Sequence, residues 1–379
     1  MDSRNEIWSV AFLANGKHIV SGGAEQKIRR WDAEDGREVG EMAIMSAAGS
    51  TVRNIAVSQD GKWIVGGTSH GMVLWNAKAT EKFKGQDRVP VCAVDVSSRS
   101  IATGSEDGTL RLWSLSGMQA LKPLQHDYPV VGAKFSPAGG RIATATQWGH
   151  SSVRVYDVWA GHLLVDFPVR VTSIRNQSLA WASDNTQLLV LSSNGDINCF
   201  DVSRGTTLSK WPIHSSHNPT SIALASNGAF IAASGDFSVS FWDTTTHKQI
   251  GTIIQHTNIV GSMTISANYD IVIGGGQTIT LWSLRDILPS PYCNDVSIFA
   301  SKVRRVRFLN FRSLCWLSQT PRKPQTWHTK VTDHEEPRKL LPATDFGFLT
   351  SISRRKNNGS RENCQGTTYP ARRLPTCSQ

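Results

Sequence analysis

Short apolar runs separated by turn residues fill the first three quarters of the chain. The first three are IWSVAF, HIVSGG and KIRRWD, at positions 7–12, 18–23 and 27–32, and Asn15-Gly16 stands between the first two. Apolar positions at helical spacing are absent from this region. Alternating short runs of this kind, punctuated by Gly, Asn, Asp and Pro, predict antiparallel β-hairpins.

One aromatic position recurs seven times along the same region. It ends the third run of each unit and is followed by Asp, Asn or Ser, at Trp31, Trp75, Trp113, Tyr156, Phe200, Trp242 and Trp282. The intervals lie between 38 and 44 residues. Two runs precede each aromatic and a further run follows most of them. Four strands per unit, repeated seven times, predict an all-β fold: a seven-bladed β-propeller with four-stranded antiparallel blades.

These residues resemble the WD-repeat family over positions 5 to 290. The strongest matches are IATGSEDGTLRLWS at 101–114 and IVSGGAEQKIRRWD at 19–32. The resemblance implies that the third-strand aromatic of each blade packs between neighbouring sheets. It also implies a protein that displays peptide-binding surfaces and assembles complexes, and that rarely performs chemistry.

The family often joins a His, a Ser or Thr, an Asp and the Trp of one blade by hydrogen bonds. The resemblance therefore assigns structural roles to the seven aromatics and to Thr103, Asp107, His126, Asp236 and His256. No blade carries the whole set. Blade three, for example, lacks the His, and blade four lacks the Asp. An unpaired buried donor costs about 1–3 kcal/mol. We therefore predict a diverged, marginally stable propeller held mainly by apolar burial.

The two histidines could also serve as bases or metal ligands. The structural role is favoured because each lies four residues before an inner-strand valine, Val130 or Val260. The sequence contains no G-x-S-x-G, P-loop or H-E-x-x-H motif, and its six cysteines include no C-x-x-C pair. The sequence thus contains no motif that indicates hydrolase, phosphoryl-transfer or zinc chemistry. We expect no enzyme activity, no cofactor and no metal site.

Partner contacts in the family concentrate in the loops that enter the inner strands and in the hairpins between second and third strands. We expect protein or peptide partners there, because aromatic and Arg side chains dominate interface energetics. The motifs of cullin ubiquitin-ligase receptors and of phosphoinositide-binding propellers are absent, so those two roles are disfavoured. The candidate partner-binding residues are Arg4, Glu6, Arg88, Tyr128, Trp148, Arg175, Asn218, Phe237 and Ile259.

Charge divides the chain unevenly. The formal net charge is +10, yet residues 1–300 carry 24 Lys plus Arg against 25 Asp plus Glu. Residues 301–379 carry 16 against 5 and hold the whole excess. We predict a propeller over 1–300 and a basic, mostly disordered tail over 301–379. Nucleic-acid binding through residues 302–356 is an alternative role for the tail, and out-of-frame translation of a gene model is another origin for it.

Neither end of the repeat region offers a regular outer strand for the last blade. Met1–Glu6 is too short to supply an outer strand, and Pro289 and Pro291 interrupt the expected last strand. Either Val296–Ala300 completes blade seven, or the chain is a piece of a longer protein. The N-terminus lacks a secretory signal, so we expect a cytoplasmic or nuclear protein that is not secreted.

The function predicted is a scaffold or adaptor for protein complexes. The alternatives are a sensor or regulatory module of a larger NTPase-type signalling protein, and a nucleic-acid-associated protein that uses the basic tail. The sequence leaves the oligomeric state and the identity of the partners open.

Overall fold

The structure is a computed structural model. It describes residues 6–25, 27–44, 50–76, 82–87, 89–116, 118–147, 153–171, 178–213, 219–293 and 306–307. Backbone contacts divide the chain into two compact units, Met1–Thr320 and Pro321–Gln379. The described residues all belong to the first unit. The predicted boundary near residue 300 and the predicted disorder of the tail stay predictions, since almost all of 301–379 lies outside these ranges.

Seven four-stranded antiparallel sheets make up the described part, and each is built from four consecutive strands. The seven-bladed, all-β prediction is confirmed. Blade one contains β1 Ile7–Phe12, β2 His18–Gly23, β3 Lys27–Asp32 and β4 Glu38–Ile44; blade two β5 Val52–Val57, β6 Trp63–Thr68, β7 Gly71–Asn76 and β8 Lys82–Asp87; blade three β9 Val91–Val96, β10 Ser100–Ser105, β11 Thr109–Ser114 and β12 Leu124–Gln125. Blade four contains β13 Val130–Phe135, β14 Arg141–Thr146, β15 Val153–Asp157 and β16 Leu163–Phe167; blade five β17 Leu179–Trp181, β18 Gln187–Leu191, β19 Asp196–Asp201 and β20 Thr206–Pro212. Blade six contains β21 Pro219–Leu224, β22 Phe230–Gly235, β23 Ser238–Asp243 and β24 Gln249–Gln255; blade seven β25 Ser262–Ile265, β26 Asp270–Gly275, β27 Thr278–Ser283 and β28 Val306–Arg307.

The Asp that follows the aromatic shapes the turn between third and fourth strands. Asp157 Oδ1 accepts hydrogen bonds from the amides of Trp159 at 2.9 Å and Ala160 at 2.8 Å. Asp32, Asp201 and Asp243 accept the equivalent pairs of amides in blades one, five and six. The recurrence of this Asp in the sequence therefore reflects turn chemistry, in which a short carboxylate satisfies backbone donors.

The buried apolar residues form seven clusters, one at each boundary between neighbouring blades. Each third-strand aromatic packs against the preceding blade. Trp75, for example, packs with Val20 and Ile28 of blade one, and Trp242 packs with Leu189 and Leu191 of blade five. Packing of the aromatics between sheets is thus confirmed, and stacked apolar faces hold the ring together.

Blade seven adjoins blade one without an exchanged strand. The Ile7 amide donates a 2.6 Å hydrogen bond to the carbonyl of Gly276, the first residue of the blade-seven hairpin turn. The same relationship joins blades six and seven, where the Val260 amide donates to the Asp236 carbonyl at 2.7 Å. Ile7 also packs in a cluster with Val272 and Ile279. The boundary that closes the ring therefore repeats the geometry of an internal boundary.

The described residues after Trp282 contact blade six. The Tyr292 hydroxyl donates to Asp243 at 2.7 Å, and the Tyr292 carbonyl accepts from Asn227 Nδ2 at 3.1 Å. Two 3₁₀ turns, Leu284–Asp286 and Ser290–Tyr292, occupy the stretch where prolines were expected to interrupt a strand. Strand β28 then pairs with β27 through Arg307 opposite Thr280 and Val306 opposite Leu281. The fourth strand thus falls within the segment assigned to the tail, whereas Val296–Ala300 lies outside the described residues.

Candidate partner-binding face

Hydrogen bonds between backbone groups gather the candidate loops on one side of the ring, here called the upper face. In blade three the Glu106 amide of the hairpin donates to the carbonyl of Pro90 in the loop that enters the same blade, at 3.2 Å. The Gly108 carbonyl of this hairpin accepts from the amide of His126, in the loop that enters blade four, at 2.8 Å. Around blade three, the hairpin and the two neighbouring entering loops therefore form one continuous surface.

Phe237 and Ile259 are exposed neighbours on this face. Phe237 lies in the hairpin of blade six and is 49% exposed, and Ile259 lies in the loop that enters blade seven and is 55% exposed. The two loops are joined by hydrogen bonds from the His256 amide to the Phe237 carbonyl at 2.7 Å and from the Val260 amide to the Asp236 carbonyl. Large apolar side chains held in water on a rigid backbone are typical of a binding surface.

The other described candidates lie in equivalent loops. Tyr128, 38% exposed, lies in the loop that enters blade four. Glu6 is exposed, its carboxylate accepts a 3.2 Å hydrogen bond from Trp8 Nε1, and its carbonyl accepts the Ala24 amide at 2.9 Å. The remaining candidates lie outside the described residues: Arg4, Arg88, Trp148, Arg175 and Asn218. Their roles, like those of the described four, stay predictions.

Sequence reasoning missed a row of arginines two residues before the aromatic. Arg154 Nε donates to Asp166 at 2.9 Å, and its Nη2 lies 3.4 Å from Asp127 of the upper-face loop. Arg29 and Arg111 occupy the same position in blades one and three, and each pairs with an acidic residue of its own hairpin, Glu25 and Asp107. The signal was present in the aligned repeats as R-x-W and R-x-Y.

A second missed contact joins two blades. Arg53, on the inner strand of blade two, pairs with Glu106 of the blade-three hairpin, and its Nη1 lies 3.5 Å from the buried Cys92 thiol. Burial raises the pKa of the Cys92 thiol, which keeps it protonated. The sequence contains no signal for this pair, because the two residues lie in different repeats.

The predicted structural residues lie where hydrogen bonds can join strands within a blade. Trp113 Nε1 donates to Thr103 Oγ1 at 3.0 Å, as Trp31 Nε1 does to Ser21 at 2.8 Å. Asp107 lies in the hairpin turn and accepts from the Thr109 amide at 2.9 Å and from its hydroxyl at 2.6 Å. In blade six Trp242 instead donates to Ser240 of its own strand, at 2.9 Å.

His126 forms a buried hydrogen-bonded group in blade four. Its Nε2 lies 3.0 Å from Thr144 Oγ1 and 3.2 Å from the Tyr156 hydroxyl, and its Nδ1 lies 3.3 Å from the Leu124 carbonyl. Because a carbonyl only accepts, Nδ1 carries the proton and Nε2 accepts. Burial and the nearby Arg154 lower the His126 pKa to about 4. The ring is therefore neutral near pH 7 and unsuited to act as a base there.

His256 occupies the equivalent loop before blade seven. Its Nδ1 lies 2.8 Å from the Asn258 carbonyl and its Nε2 lies 3.4 Å from Thr278 Oγ1. Burial lowers its pKa as well. Both histidines thus bind loop and strand together in the neutral form.

The inner strands of all seven blades surround a cavity of about 590 Å³ at the ring centre. Its charged lining residues are Asp95 and Lys134, which form an ion pair with a 3.0 Å N–O distance. Asp95 also accepts the Phe135 amide at 2.8 Å, so its carboxylate joins blades three and four. Within the described ranges, no group of three or more His, Cys, Asp or Glu side chains could hold a metal ion.

No helix in the described part of the chain is long and apolar enough to cross a membrane.

Comparison with known families gives a match that follows the blades. The family described as "WD domain, G-beta repeat" matches residues 2–32, 78–114 and 205–243. Each matched stretch ends one residue after a third-strand tryptophan: Trp31, Trp113 or Trp242. The three blades concerned are therefore the ones in which the family pattern is best kept.

Several characterised proteins are similar to the chain. The nuclear distribution protein nudF of Emericella nidulans is 28% identical over 182 residues, 41% of this chain and 40% of that protein. An F-box/WD-40 repeat-containing protein of Arabidopsis thaliana is 23% identical over 322 residues, 74% of this chain and 57% of that protein. Autophagy-related protein 16 of Arabidopsis thaliana is 25% identical over 292 residues, 73% of this chain and 47% of that protein. The chain thus spans about half the length of these relatives.

Proposed function

Because the chain belongs to the WD-repeat β-propeller family, we propose that it is a non-catalytic scaffold or adaptor that binds protein or peptide partners through its upper face. The family is generally non-catalytic, and its members typically bind proteins. The proposal assigns that general role to this chain and places the contact on the loops that carry Glu6, Tyr128, Phe237 and Ile259.

The observation that carries the proposal is the exposure of Phe237 and Ile259 on two loops that backbone hydrogen bonds join. Both side chains keep about half of their surface in water, although the backbone that holds them is fixed by hydrogen bonds between the two loops. A partner that covers both would gain apolar burial without first ordering the loops, which lowers the entropic cost of binding. Tyr128, two blade boundaries from blade six, extends the same face.

Affinity purification with the tagged 379-residue chain tests the proposal. The test variant is Phe237→Ala with Ile259→Ala, and the matched control is Val39→Ser, which removes an equally exposed apolar side chain from the outer strand of blade one. Partners quantified by mass spectrometry should fall at least about fivefold with the test variant, as expected for interface anchors. The control should retain them.

Thermal unfolding of all three proteins separates binding from folding. Equal unfolding midpoints, together with loss of partners in the test variant, support binding at the upper face. An unchanged set of partners at unchanged recovery would exclude Phe237 and Ile259 as anchors.

A second candidate is that the propeller acts as the sensor or regulatory module of a larger NTPase-type signalling protein. What favours it is that the similar proteins extend well beyond the matched stretch, which covers 40 to 57% of their lengths. Long-read sequencing of the transcript, with an immunoblot against the propeller, tests it. A native protein no longer than 379 residues would contradict this candidate.

A further inference from the structure

Asn194 and Gly195 form the tip of the hairpin between β18 and β19, in blade five. Asn194 is exposed, and Gly195 has a φ of +80°. The Gly195 carbonyl accepts the amide of Ile213, in the loop that leads to blade six, at 2.9 Å. The pair therefore lies on the upper face, where hairpins contact the loops that enter the next blade.

An asparagine followed by glycine is the dipeptide most open to deamidation. Glycine has no Cβ, so its backbone nitrogen reaches the side chain of the preceding asparagine more easily than the nitrogen of any other residue does. The Gly195 nitrogen loses its proton to hydroxide and attacks Asn194 Cγ. A bond forms between these two atoms, and the bond from Cγ to Nδ2 breaks. Nδ2 takes a proton from water and leaves as ammonia.

Water completes the reaction without an enzyme, a metal or an oxidant. It opens the cyclic succinimide at one of its two carbonyls, so the product is either aspartate or isoaspartate. The whole reaction consumes one water, releases an ammonium ion and turns a neutral amide into a carboxylate. The chain itself therefore supplies every reacting group apart from water.

The described residues contain three asparagine–glycine pairs, Asn15-Gly16, Asn194-Gly195 and Asn227-Gly228. A fourth pair, Asn358-Gly359, lies outside them. All three described asparagines are exposed, so access to water does not distinguish them. The hydrogen bonds of the side-chain amide do, because the amide has to turn towards the next backbone nitrogen before the ring can close.

Hydrogen bonds hold both ends of the amide in Asn15 and in Asn227. Asn15 Oδ1 accepts the Lys17 amide at 3.0 Å, and its Nδ2 lies 2.9 Å from His18 Nδ1. Asn227 Oδ1 accepts a backbone amide of its own turn at 3.0 Å, and its Nδ2 donates to the Tyr292 carbonyl at 3.1 Å. These hydrogen bonds oppose the rotation that ring closure needs.

Asn194 is held more loosely. In the described part of the chain its side chain makes one hydrogen bond, which the Ser193 hydroxyl donates to Oδ1 at 3.4 Å. That distance is long for a bond between two oxygens. The Gly195 amide also makes the longer turn bond, 3.1 Å to its carbonyl acceptor, against 2.9 Å for the Gly16 and Gly228 amides. Both the amide and the attacking nitrogen are thus least restrained at this pair.

Blade three shows that the hairpin accepts an aspartate at the same position. Asp107 corresponds to Asn194, since each is followed by a glycine whose amide donates to a serine carbonyl, Ser105 at 3.2 Å and Ser192 at 3.1 Å. Conversion of the asparagine to aspartate is therefore compatible with the fold of blade five.

The two hairpins differ in what surrounds the carboxylate. Asp107 accepts the Thr109 hydroxyl at 2.6 Å and pairs with Arg111 at 3.1 Å. Blade five has Asp196 and Asn198 at the two corresponding positions. A carboxylate formed there would thus meet a second carboxylate and a neutral amide instead of a hydroxyl and a cation, and its charge would not be balanced in the same way.

We propose that Asn194 is a spontaneous deamidation site of the folded protein, and that its conversion makes the upper face more negative as the protein ages. Asp196 pairs with Lys210 at 2.8 Å, so the two charges of this hairpin balance before conversion. Isoaspartate also lengthens the main chain before Gly195 and disturbs the hydrogen bond to Ile213. The effect on partners rests on the proposed function, whereas the conversion itself does not.

Peptide mapping of the folded 379-residue chain tests the proposal. The protein is incubated at mildly alkaline pH in heavy-oxygen water, which marks each amide that is hydrolysed during the incubation. Digestion with pepsin in acid stops the reaction, and mass spectrometry gives a separate rate for Asn15, Asn194 and Asn227. Asn194 should convert at least about tenfold faster than the other two, because they must first give up one or two further hydrogen bonds.

The same measurement in urea separates the effect of folding from that of local sequence. Unfolding releases all three side chains, and each is followed by glycine, so the three rates should converge. A preference for Asn194 that is equally large in urea would show that the hydrogen bonds of the folded chain do not select the site, and would overturn the proposal.

Ion-exchange chromatography of the folded chain follows the change in charge. It is carried out in an Asn358→Gln background, so that the pair outside the described residues does not contribute. Acidic species should accumulate with time, and Asn194→Gln should remove most of them, because glutamine would have to close a larger ring. Asn15→Gln is the matched control and should leave their accumulation unchanged.

Two further results would overturn the proposal. One is conversion of Asn15 or Asn227 in the folded chain as fast as that of Asn194. The other is accumulation of the same acidic species in Asn194→Gln as in the chain that keeps Asn194. Neither result bears on partner binding through Phe237 and Ile259.

Discussion

Ser262 of blade seven accepts a 3.0 Å hydrogen bond from the amide of Val10 in blade one. Ser9 of blade one accepts the Ile55 amide of blade two in the same way, also at 3.0 Å. Both hydroxyls are buried, and the two serines occupy equivalent positions, opposite Gly22 and Gly274 of the second strands. A serine at this position therefore joins one blade to the next around the inner wall, and at the last boundary it helps to close the ring.

Ser262→Ala should lower the free energy of unfolding by about 1–2 kcal/mol, because it leaves the buried Val10 amide without an acceptor. Ser178 provides a matched control. It occupies the same position in blade five, is 1% exposed, and its hydroxyl has no partner among the described residues. Ser178→Ala should leave the free energy unchanged or raise it. Urea unfolding followed by circular dichroism measures both, and equal losses in the two variants would contradict the role assigned to Ser262.

A hydrogen-bond acceptor supplied to Trp75 should make the folded chain more stable. Its buried Nε1 has no acceptor in the described part of the chain, because Gly66 stands where blades one and three carry Ser21 and Thr103. In blades six and seven the acceptor is the hydroxyl of Ser240 or Thr280, two residues before the tryptophan. In blade two Val73 occupies the equivalent position. Val73→Thr should therefore raise the free energy of unfolding by about 0.5–1 kcal/mol, measured by urea unfolding.

The control for Val73→Thr is Val155→Thr, which places the same hydroxyl in the apolar cluster between blades four and five. It should lower the free energy by about 1–2 kcal/mol, since the hydroxyl loses water. Gly66→Ser is the less suitable route, because a Cβ there would lie 3.0 Å from Trp75 Cζ3. A Val73→Thr variant as unstable as Val155→Thr would show that Trp75 Nε1 gains no acceptor.

His126 should make the fold sensitive to mild acid. Its pKa is about 4 in the folded chain against 6.5 in a free side chain, so the unfolded state binds the proton more readily between these values. The stability due to neutral His126 is fully present above pH 6.5 and is lost as the pH falls towards 4. The total loss should be about 3 kcal/mol.

His126→Gln removes this titration and should flatten stability against pH over that window, relative to the wild type. His162→Gln, at an exposed position in the turn of blade four, is the control and should keep the wild-type slope. Urea unfolding at a series of pH values gives the comparison. A slope that survives in His126→Gln would assign the acid sensitivity to other groups.

The position of β28 predicts where the chain can be shortened. Truncation after Arg307 keeps the strand that pairs with Thr280 and Leu281, whereas truncation after Ala300 removes it. The longer fragment should unfold near the temperature of the full chain. The shorter one should unfold several degrees lower, as expected for a loss of about 1–2 kcal/mol. Equal unfolding temperatures for the two fragments would show that β28 adds nothing to blade seven.

The fold could be predicted because the residues that recur in each repeat are large and buried. Trp31 and its six counterparts recur in register, and each stands at a boundary between sheets, so spacing alone implied the number of blades. Ring closure left no comparable signal, since Ile7 and Gly276 meet through backbone groups that every residue carries. The last strand escaped prediction because Val306 and Arg307 are only two residues within a basic segment without alternation.

The side of the ring on which the candidate loops lie could be predicted, whereas their role in binding stays a prediction. Loop position placed Tyr128, Phe237 and Ile259 on one face, because in a propeller the loop type decides the side of the ring. The exposure of Trp159, Leu163 and Leu164 could not be anticipated, since LLVDF matches the pattern of any outer strand. It depends on what the neighbouring blades leave uncovered, and the bulge at Leu164 appears only in the strand register.

Each blade takes its four strands from one continuous stretch of chain. During synthesis on the ribosome, a blade therefore has all its strands before the next one begins to emerge, and no early strand must wait for a partner made at the end. Duplication or deletion of one repeat would likewise add or remove a whole blade and leave its neighbours complete. The ring can thus grow or shrink by gene rearrangement in steps of a single unit.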